Sequence, residues 1–208
     1  MEQRTLKRGL LRRSNALGNE TIRLILQSAR DVIEGKGIDN FSLTDVAKEA
    51  GLTKGTLLYH FPSKEILLAR LIDNYIIHLT EKFEAGKQAA QESLLYPKGV
   101  DLNVAGFIEW YRVYLKQDLS YSNFGVILLS YAAHRPQLRE KVRAWYRDLF
   151  EDLKTSPCKE AIEIVLLLEG LFFLGHLGLD TLSEEETGRI INRMILLLNE
   201  SVKPPIFE

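Results

Sequence analysis

Between Thr53 and Phe61 the chain sets polar side chains on a short predicted helix in an arrangement suited to gripping a polyanion. Thr53 is placed to cap that helix. Lys54, Thr56, Tyr59 and His60 supply hydrogen-bonding groups, and Leu57, Leu58 and Phe61 supply packing. Gly55 inside a helix costs about 1 kcal/mol against Ala, which makes sense where another backbone must come close. A DNA phosphate chain is one such surface. Lys and Thr at a helix start suit phosphate oxygens, because the unpaired N–H groups and the helix dipole already attract anions. Thr44 upstream and Lys64 downstream belong to the same candidate DNA face, with Lys64 expected on a phosphate. On spacing alone, an αα-hairpin with a merely solvated polar face fits the same residues.

Other chemistry finds less to stand on. The chain has four histidines, His60, His78, His134 and His176. His176 and Asp180 stand four apart, as metal ligands on one helix can, but no second ligand pair shows a recognisable spacing. They read as a polar pair on an interface or pocket helix. No nucleophile elbow, phosphate-binding glycine loop or dinucleotide glycine pattern is present. The expectation is therefore no catalytic residue, no metal and no cofactor.

The candidate face needs elements to hold it. Ser42 and Asp45 form the ends of a capping box, and Val46, Ala47 and Ala50 fall on one apolar face. Gly51 follows the last helical residue, where a left-handed backbone is wanted. A helix, a Gly-containing turn and a second helix make a helix-turn-helix. An earlier helix starts with Asn19 as its cap, carries Ile22, Ile25, Leu26, Ala29, Val32 and Ile33 on one side, and ends at Gly35-Lys36-Gly37. Phe41 is expected to plug the three-helix core. Residues 1–18 read as a mobile basic arm in which Arg12 and Arg13, nearest the first helix, reach the DNA backbone or minor groove.

Here the residues resemble the tetracycline-repressor (TetR) family of bacterial regulators. The family pattern runs from Thr-x-Arg-x-Ile-Leu to Ser-Lys-Glu-x-Leu. This chain has Thr21-Ile22-Arg23-Leu24-Ile25-Leu26, Asp45-Val46-Ala47-Lys48-Glu49-Ala50-Gly51, Thr53-Lys54-Gly55-Thr56-Leu57, Tyr59-His60-Phe61 and Ser63-Lys64-Glu65-Ile66-Leu67. The resemblance covers about residues 20–68. Two departures stand out: Leu58 replaces an aromatic that in the family often touches the DNA backbone, and Val32-Ile33 replaces Leu-Phe. The resemblance implies a ligand-responsive transcriptional regulator, usually a repressor, that binds a near-palindromic operator in double-stranded DNA. It also implies an effector cavity in the C-terminal part.

Charge and composition agree with that. The 208 residues are 46% apolar and carry a net charge of −1. Residues 1–64 hold 11 Lys and Arg against 7 Asp and Glu, whereas residues 65–208 hold 16 against 21. A basic N-terminal unit on an acidic body suits DNA contact at one end. Cys158 is the only cysteine, which excludes an intramolecular disulfide and fits a reducing cytoplasm. No apolar run follows the basic start, which argues against a signal peptide. Ala161 to Leu179 is strongly apolar, but Glu163, Glu169 and His176 argue for a buried helix rather than a membrane span.

The fold class is all-α, with about nine helices and no convincing strand alternation. A long helix from Ser63 ends between Phe83 and Ala90. Five more are expected at about 101–118, 121–134, 137–154, 157–180 and 184–201. Residues 1–66 form the helix-turn-helix domain and residues 67–208 a helical bundle for dimerisation and effector binding. Trp110, Tyr114, Phe124, Tyr131 and Phe172 are the candidate lining of an apolar effector site, with Glu169 and His176 as polar anchors. A small lipophilic or aromatic effector, of unknown identity, would suit it. Leu171, Gly175, Gly178, Ile191, Met194, Ile195 and Leu198 are the expected homodimer contact, in which two helices from each copy form a four-helix bundle. A helical protein-interaction module that has lost direct operator reading is the alternative.

Overall fold

Every regular element among the described residues is a helix. The computed structural model describes residues 2–114, 120–179 and 181–202, with side chains over 19–113, 124–179 and 181–202. The helices are α1 (Glu2–Lys36), α2 (Leu43–Glu49), α3 (Lys54–His60), α4 (Lys64–Glu92), α5 (Leu102–Tyr114), α6 (Ser120–Ala133), α7 (Pro136–Lys154), α8 (Ala161–His176) and α9 (Glu184–Glu200). The chain divides into two compact units, Met1–Ile72 and Asp73–Glu208, so the division falls inside α4.

The helix ends follow from local chemistry. Ser42 Oγ accepts from the Asp45 amide at 3.2 Å and the Asp45 carboxylate accepts from the Ser42 amide at 3.0 Å, closing the expected capping box of α2. Ser183 and Glu186 do the same for α9 at 3.2 and 2.8 Å. Gly51 adopts φ +63°, and the Leu52 amide reaches back to the Ala47 carbonyl at 2.9 Å. That wrap turns the chain from α2 toward α3 without a Cβ penalty.

Three expectations are corrected here. The first helix begins at Glu2, so Asn19 lies within it and Arg12 and Arg13 are helical instead of sitting on a mobile arm. Leu, Arg, Lys, Gln and Glu dominate that stretch, and such straight-chain residues favour helix without help from an apolar stripe. The helix expected from 157 begins only at Ala161 and ends at His176. Gly178, at φ +64°, ends it by the same device as Gly51, with the Leu179 amide on the Leu174 carbonyl at 2.9 Å. Asp180 and its metal-ligand spacing lie outside the described residues.

In the N-terminal unit, Ile25, Ala29 and Ile33 of α1, Val46 of α2, Leu57 of α3, Phe61 just after it and Leu67 and Leu68 of α4 are all buried, as is Phe41 in the loop between α1 and α2. The core of the C-terminal unit gathers Val104 and Ile108 of α5, Leu149 and Leu153 of α7, Val165 and Leu168 of α8 and Leu198 of α9. An ion pair is built into it. The Glu109 carboxylate, buried, accepts from Tyr96 OH at 2.7 Å and from Arg112 Nη1 at 2.6 Å, tying the α4–α5 loop to α5. Burial and the adjoining carboxylate push the Tyr96 phenol far above its ordinary range.

Within that unit α4 and α5 cross at two glycines. A Cβ on Gly86 would strike the Gly106 carbonyl oxygen and lie 3.2 Å from Trp110 Cβ. The obstacle is backbone, which cannot swing aside as a side chain can. Gly86→Ala is therefore expected to lower the melting temperature by roughly 3–10 °C, an overpacking penalty of about 1–3 kcal/mol, measured by circular dichroism. Gly35→Ala, where an added Cβ meets nothing within 4 Å, should not lower it.

Candidate nucleic-acid interface and ligand site

The helix-turn-helix holds α3 by its apolar side. Leu57 is fully buried, Phe61 nearly so and Leu58 half-buried, which turns the opposite side outward. Thr44, Thr53, Lys54, Gly55 and Thr56 are exposed, His60 is half-buried, and Tyr59 stands 83% exposed with its ring edge-on to His60 at 5.1 Å. Thr53 Oγ1 accepts from the Thr56 amide at 3.1 Å and lies 2.9 Å from Thr56 Oγ1. That short bridge ties the two hydroxyls to each other. A Cβ on Gly55 would meet only Thr53 Oγ1 at 3.8 Å, so nothing within the unit requires glycine there. The Asp45 carboxylate, held down at about 2 by the Lys36 ammonium and then by Ser42, keeps α2 capped above that pH. Its contribution to stability is lost only as the pH falls from about 4 toward 2.

Lys64 has partners other than the expected phosphate. Its ammonium donates to the Asp39 and Phe41 carbonyls, each at 3.1 Å, and sits 4.1 Å from the centre of the Phe41 ring. These carbonyls offset the unfavourable place of a cation at the start of α4. Lys64 thereby fastens α4 to the loop between α1 and α2. Arg12 and Arg13 lie on α1 with side chains outside the described residues.

The aromatic residues chosen from the sequence do not form one cluster. Trp110 packs edge-on to Phe107 at 5.2 Å, beside the glycine crossing. Tyr131 carries the Arg135 guanidinium 3.2 Å above its ring. Phe124 is buried, and the Tyr114 side chain lies outside the described residues. On α8, by contrast, three candidates stand together. The His176 ring lies 4.0 Å from that of Phe172, and its Nδ1 donates to the Phe172 carbonyl at 2.7 Å. Burial holds this imidazole below its usual range, against the pull of that carbonyl. Glu169, one turn earlier, accepts from Tyr146 OH of α7 at 3.1 Å. Burial raises its carboxyl to about 7, and the Tyr146 hydrogen bond pulls the other way. Tyr146 was missed from the sequence. It follows the apolar face of α7 with Val142, Leu149 and Leu153, where a phenol reads as packing. No group of three His, Cys, Asp or Glu side chains among the described residues is arranged to hold a metal.

The expected dimer contact is also corrected. Leu171, Ile191, Met194, Ile195 and Leu198 are buried in the core of their own unit. Gly178 ends α8, and Gly175 is exposed beside it. The bare apolar face is the other side of α8: Leu166, Leu167, Gly170 and Leu174 are exposed, with Leu177 just beyond at 57%. On α9, Leu196 is exposed at 54%. A helix apolar all round carries no polar stripe to mark its outside, so the sequence cannot say which side turns inward.

All-helical among the described residues, with an exposed recognition-type helix, a packed C-terminal bundle and a bare apolar helix face, the chain is a helix-turn-helix protein. Residues 25–71 match the family model described as bacterial regulatory proteins, tetR family, and residues 109–199 match the tetracyclin repressor-like C-terminal domain. The chain belongs to the TetR family. It is 37% identical over 60 residues to the HTH-type transcriptional regulator YvdT of Bacillus subtilis, covering 29% of this chain and 31% of that protein. The matched segments span about a third of the length of the curated relatives. A TetR-family structure from Streptomyces coelicolor A3 aligns at TM-score 0.62 and 25% identity, covering 84% of this chain and 98% of that one. The multidrug binding protein EbrR, complexed with malachite green, aligns at TM-score 0.63 and 19% identity over 88% of this chain and 98% of that one.

The Lys64 clasp gives a direct test. Lys64→Ala removes two charge-assisted hydrogen bonds and should destabilise the N-terminal unit by about 1–3 kcal/mol. The salt dependence of DNA binding by the folded protein should stay as it was. A slope lower by about one, at unchanged stability, would put the ammonium on a phosphate instead.

Proposed function

We propose that the protein is a cytoplasmic transcriptional regulator that binds a near-palindromic operator as a two-fold dimer, represses from it, and is released by a small lipophilic or aromatic ligand. The observation that carries this reading is the outer face of α3. It offers Lys54, Thr56, Tyr59 and His60 around a glycine that the fold itself does not need. Lys54 and Tyr59 suit phosphate contacts, Thr56 a base edge, and Gly55 the close approach of a backbone. Thr44 and Thr53 flank them. The excess of Lys and Arg over residues 1–64 draws that unit to DNA even though the whole chain is slightly acidic.

A dimer is needed because two copies of one recognition helix read two half-sites, roughly 34–36 Å apart. The bare side of α8, with Leu196 of α9, is the surface for it. Two such helices from each copy make a four-helix bundle with Gly170 at the closest approach. The ligand enters the C-terminal unit, and α4, which has residues in both units, transmits its effect. A ligand shifts DNA affinity only through unequal affinity for two forms of the dimer. A coupling of about 1–3 kcal/mol changes it some 5- to 150-fold.

Fluorescence anisotropy with DNA from upstream of the protein's own gene tests the DNA reading. Lys54→Ala should weaken binding to operator and random DNA alike and lower the salt slope by about one, while Thr56→Ala should narrow the gap between the two DNAs. A wild-type protein that prefers no upstream sequence at low salt would end the proposal. Assembly is tested separately. Leu167→Asp should give a folded monomer in sedimentation with at least tenfold weaker operator binding, whereas Leu171→Asp should unfold the C-terminal unit. An undisturbed dimer in Leu167→Asp would place the contact elsewhere.

A further inference from the structure

The C-terminal unit carries a basic patch on an acidic body. Residues 134–147 hold five Lys and Arg against one acid, Glu140, whereas the rest of residues 65–208 holds 11 against 20. The patch is a ladder. Arg135, Arg139, Arg143 and Arg147 recur every fourth residue, so on a helix they rise in steps of roughly 6 Å and turn only slowly about its axis. Arg135 is turned back onto Tyr131, and Lys141 is paired with Asp73 of α4 at 2.6 Å. The other three arginines share Glu140. Arg147 bonds it, Arg143 lies 3.6 Å away, and with Arg139 they hold its carboxyl below the usual range, Arg147 most strongly. Three guanidiniums around one carboxylate leave two positive charges over, on side chains that are 65% exposed at Arg143 and 54% at Arg147. The opposite patch lies at the start of α9. Glu186 is engaged there by the Ser183 amide and hydroxyl. Glu184 and Glu185 are exposed and, among the described residues, form no ion pair. Leu179 and Leu182, just before them, are exposed at 63% and 38%.

We infer that the arginine ladder of α7 docks on the acidic start of α9 in a second copy of this chain. The two patches match in charge, two positive against two negative. They also match in chemistry. A planar guanidinium takes a carboxylate through two parallel hydrogen bonds, and its aliphatic stem covers an exposed leucine. Within one chain, no ion pair joins α7 to α9 among the described residues. Each copy carries both patches, so a two-fold pairing uses each of them twice and closes on itself. One surface ion pair contributes little, so the pairing depends on the whole set and is weak and salt-sensitive. A nucleic acid fits the ladder less well. A long polyanion would run past the two-charge excess and over Asp148, Glu151 and Asp152, exposed further along α7. The start of α9 presents two carboxylates and stops. This contact goes beyond the proposed dimer and is separate from the bare face of α8.

The test is sedimentation velocity on the full-length protein without DNA, at high micromolar concentration, in about 0.1 M and about 1 M salt, where charges are felt over roughly 10 and 3 Å. For wild type, the low-salt species should have twice the mass of the high-salt one, whether that is a monomer or the α8 dimer, with a Kd at least tenfold lower. Arg143→Glu with Arg147→Glu should behave at low salt as wild type does at high salt, and so should Glu184→Arg with Glu185→Arg. Mixing the two variants should restore the doubled mass, because each then faces the opposite charge. Lost packing would not be restored in that way. Melting temperatures check both folds. If the α9 reversal melts lower, Glu184→Gln with Glu185→Gln takes its place and should weaken the pairing at least tenfold. One mass at both salts, a doubled mass that survives either reversal, or variants that stay apart when mixed would overturn the inference. So would an Arg143→Glu, Arg147→Glu protein of unchanged mass whose affinity for random DNA and salt slope both fall, since nucleic acid would then be the partner. Leu167→Asp reads the α8 contact alone, and its monomer should still double in mass at low salt, so either contact can fail without the other.

Discussion

Helix α8 has more apolar surface than one copy of the chain can cover. Ile164, Leu168 and Leu171 are sealed into the core of the C-terminal unit, and Leu166, Leu167 and Leu174 face away from it. Burying a leucine side chain is worth about 1.5–3 kcal/mol, so a row of exposed leucines is a strong incentive to associate. The proposed account of DNA binding depends on this excess. A lone α3 spans only part of a major groove and makes few contacts, and a two-fold pair doubles them while fixing the half-site spacing. In this view, the hydrophobic surplus of α8 sets the symmetry that the proposed operator must share.

The N-terminal unit solves a different problem, which is to expose polar side chains in fixed directions. A seven-residue helix is too short to be stable alone. Here α3 is held by Leu57 and Phe61 on its inner side, by the Thr53 cap at its start and by the wrap at Gly51 before it. Lys64 adds a clasp just after it, using two loop carbonyls. The outer residues are then free of packing duties. Tyr59 shows this most clearly, a large aromatic left almost wholly in water. Such a residue on a rigid short helix has more use in a contact surface than in a core.

Much of this was legible in the sequence, and the reasons for the exceptions are physical. Capping boxes, the glycine after α2 and the apolar stripe of α1 each leave a local signal, so the helix-turn-helix could be read with its polar face. Residues 2–18 carry no stripe, mostly good helix formers, and there periodicity is the wrong guide. The two carbonyls that fold back onto Lys64 leave no mark in the sequence, where its place at a helix start reads as that of a phosphate ligand. The inward side of α8 was hidden because both sides are apolar, and the choice is made by packing against α7, just before it, and α5, distant in sequence. Glu169 was visible as an anomaly, but its partner Tyr146 was disguised as packing. Gly86 and Gly106 gave no sign that they meet.

The central claim is that exposed α3 helices, paired through α8, read DNA with two-fold symmetry. Hydroxyl-radical footprinting of the region upstream of the protein's own gene measures that symmetry on the DNA itself. The account predicts two protected patches related by a dyad, centred roughly 34–36 Å apart or at a multiple of that spacing. A single unpaired patch, or uniform protection without sequence preference, would contradict it.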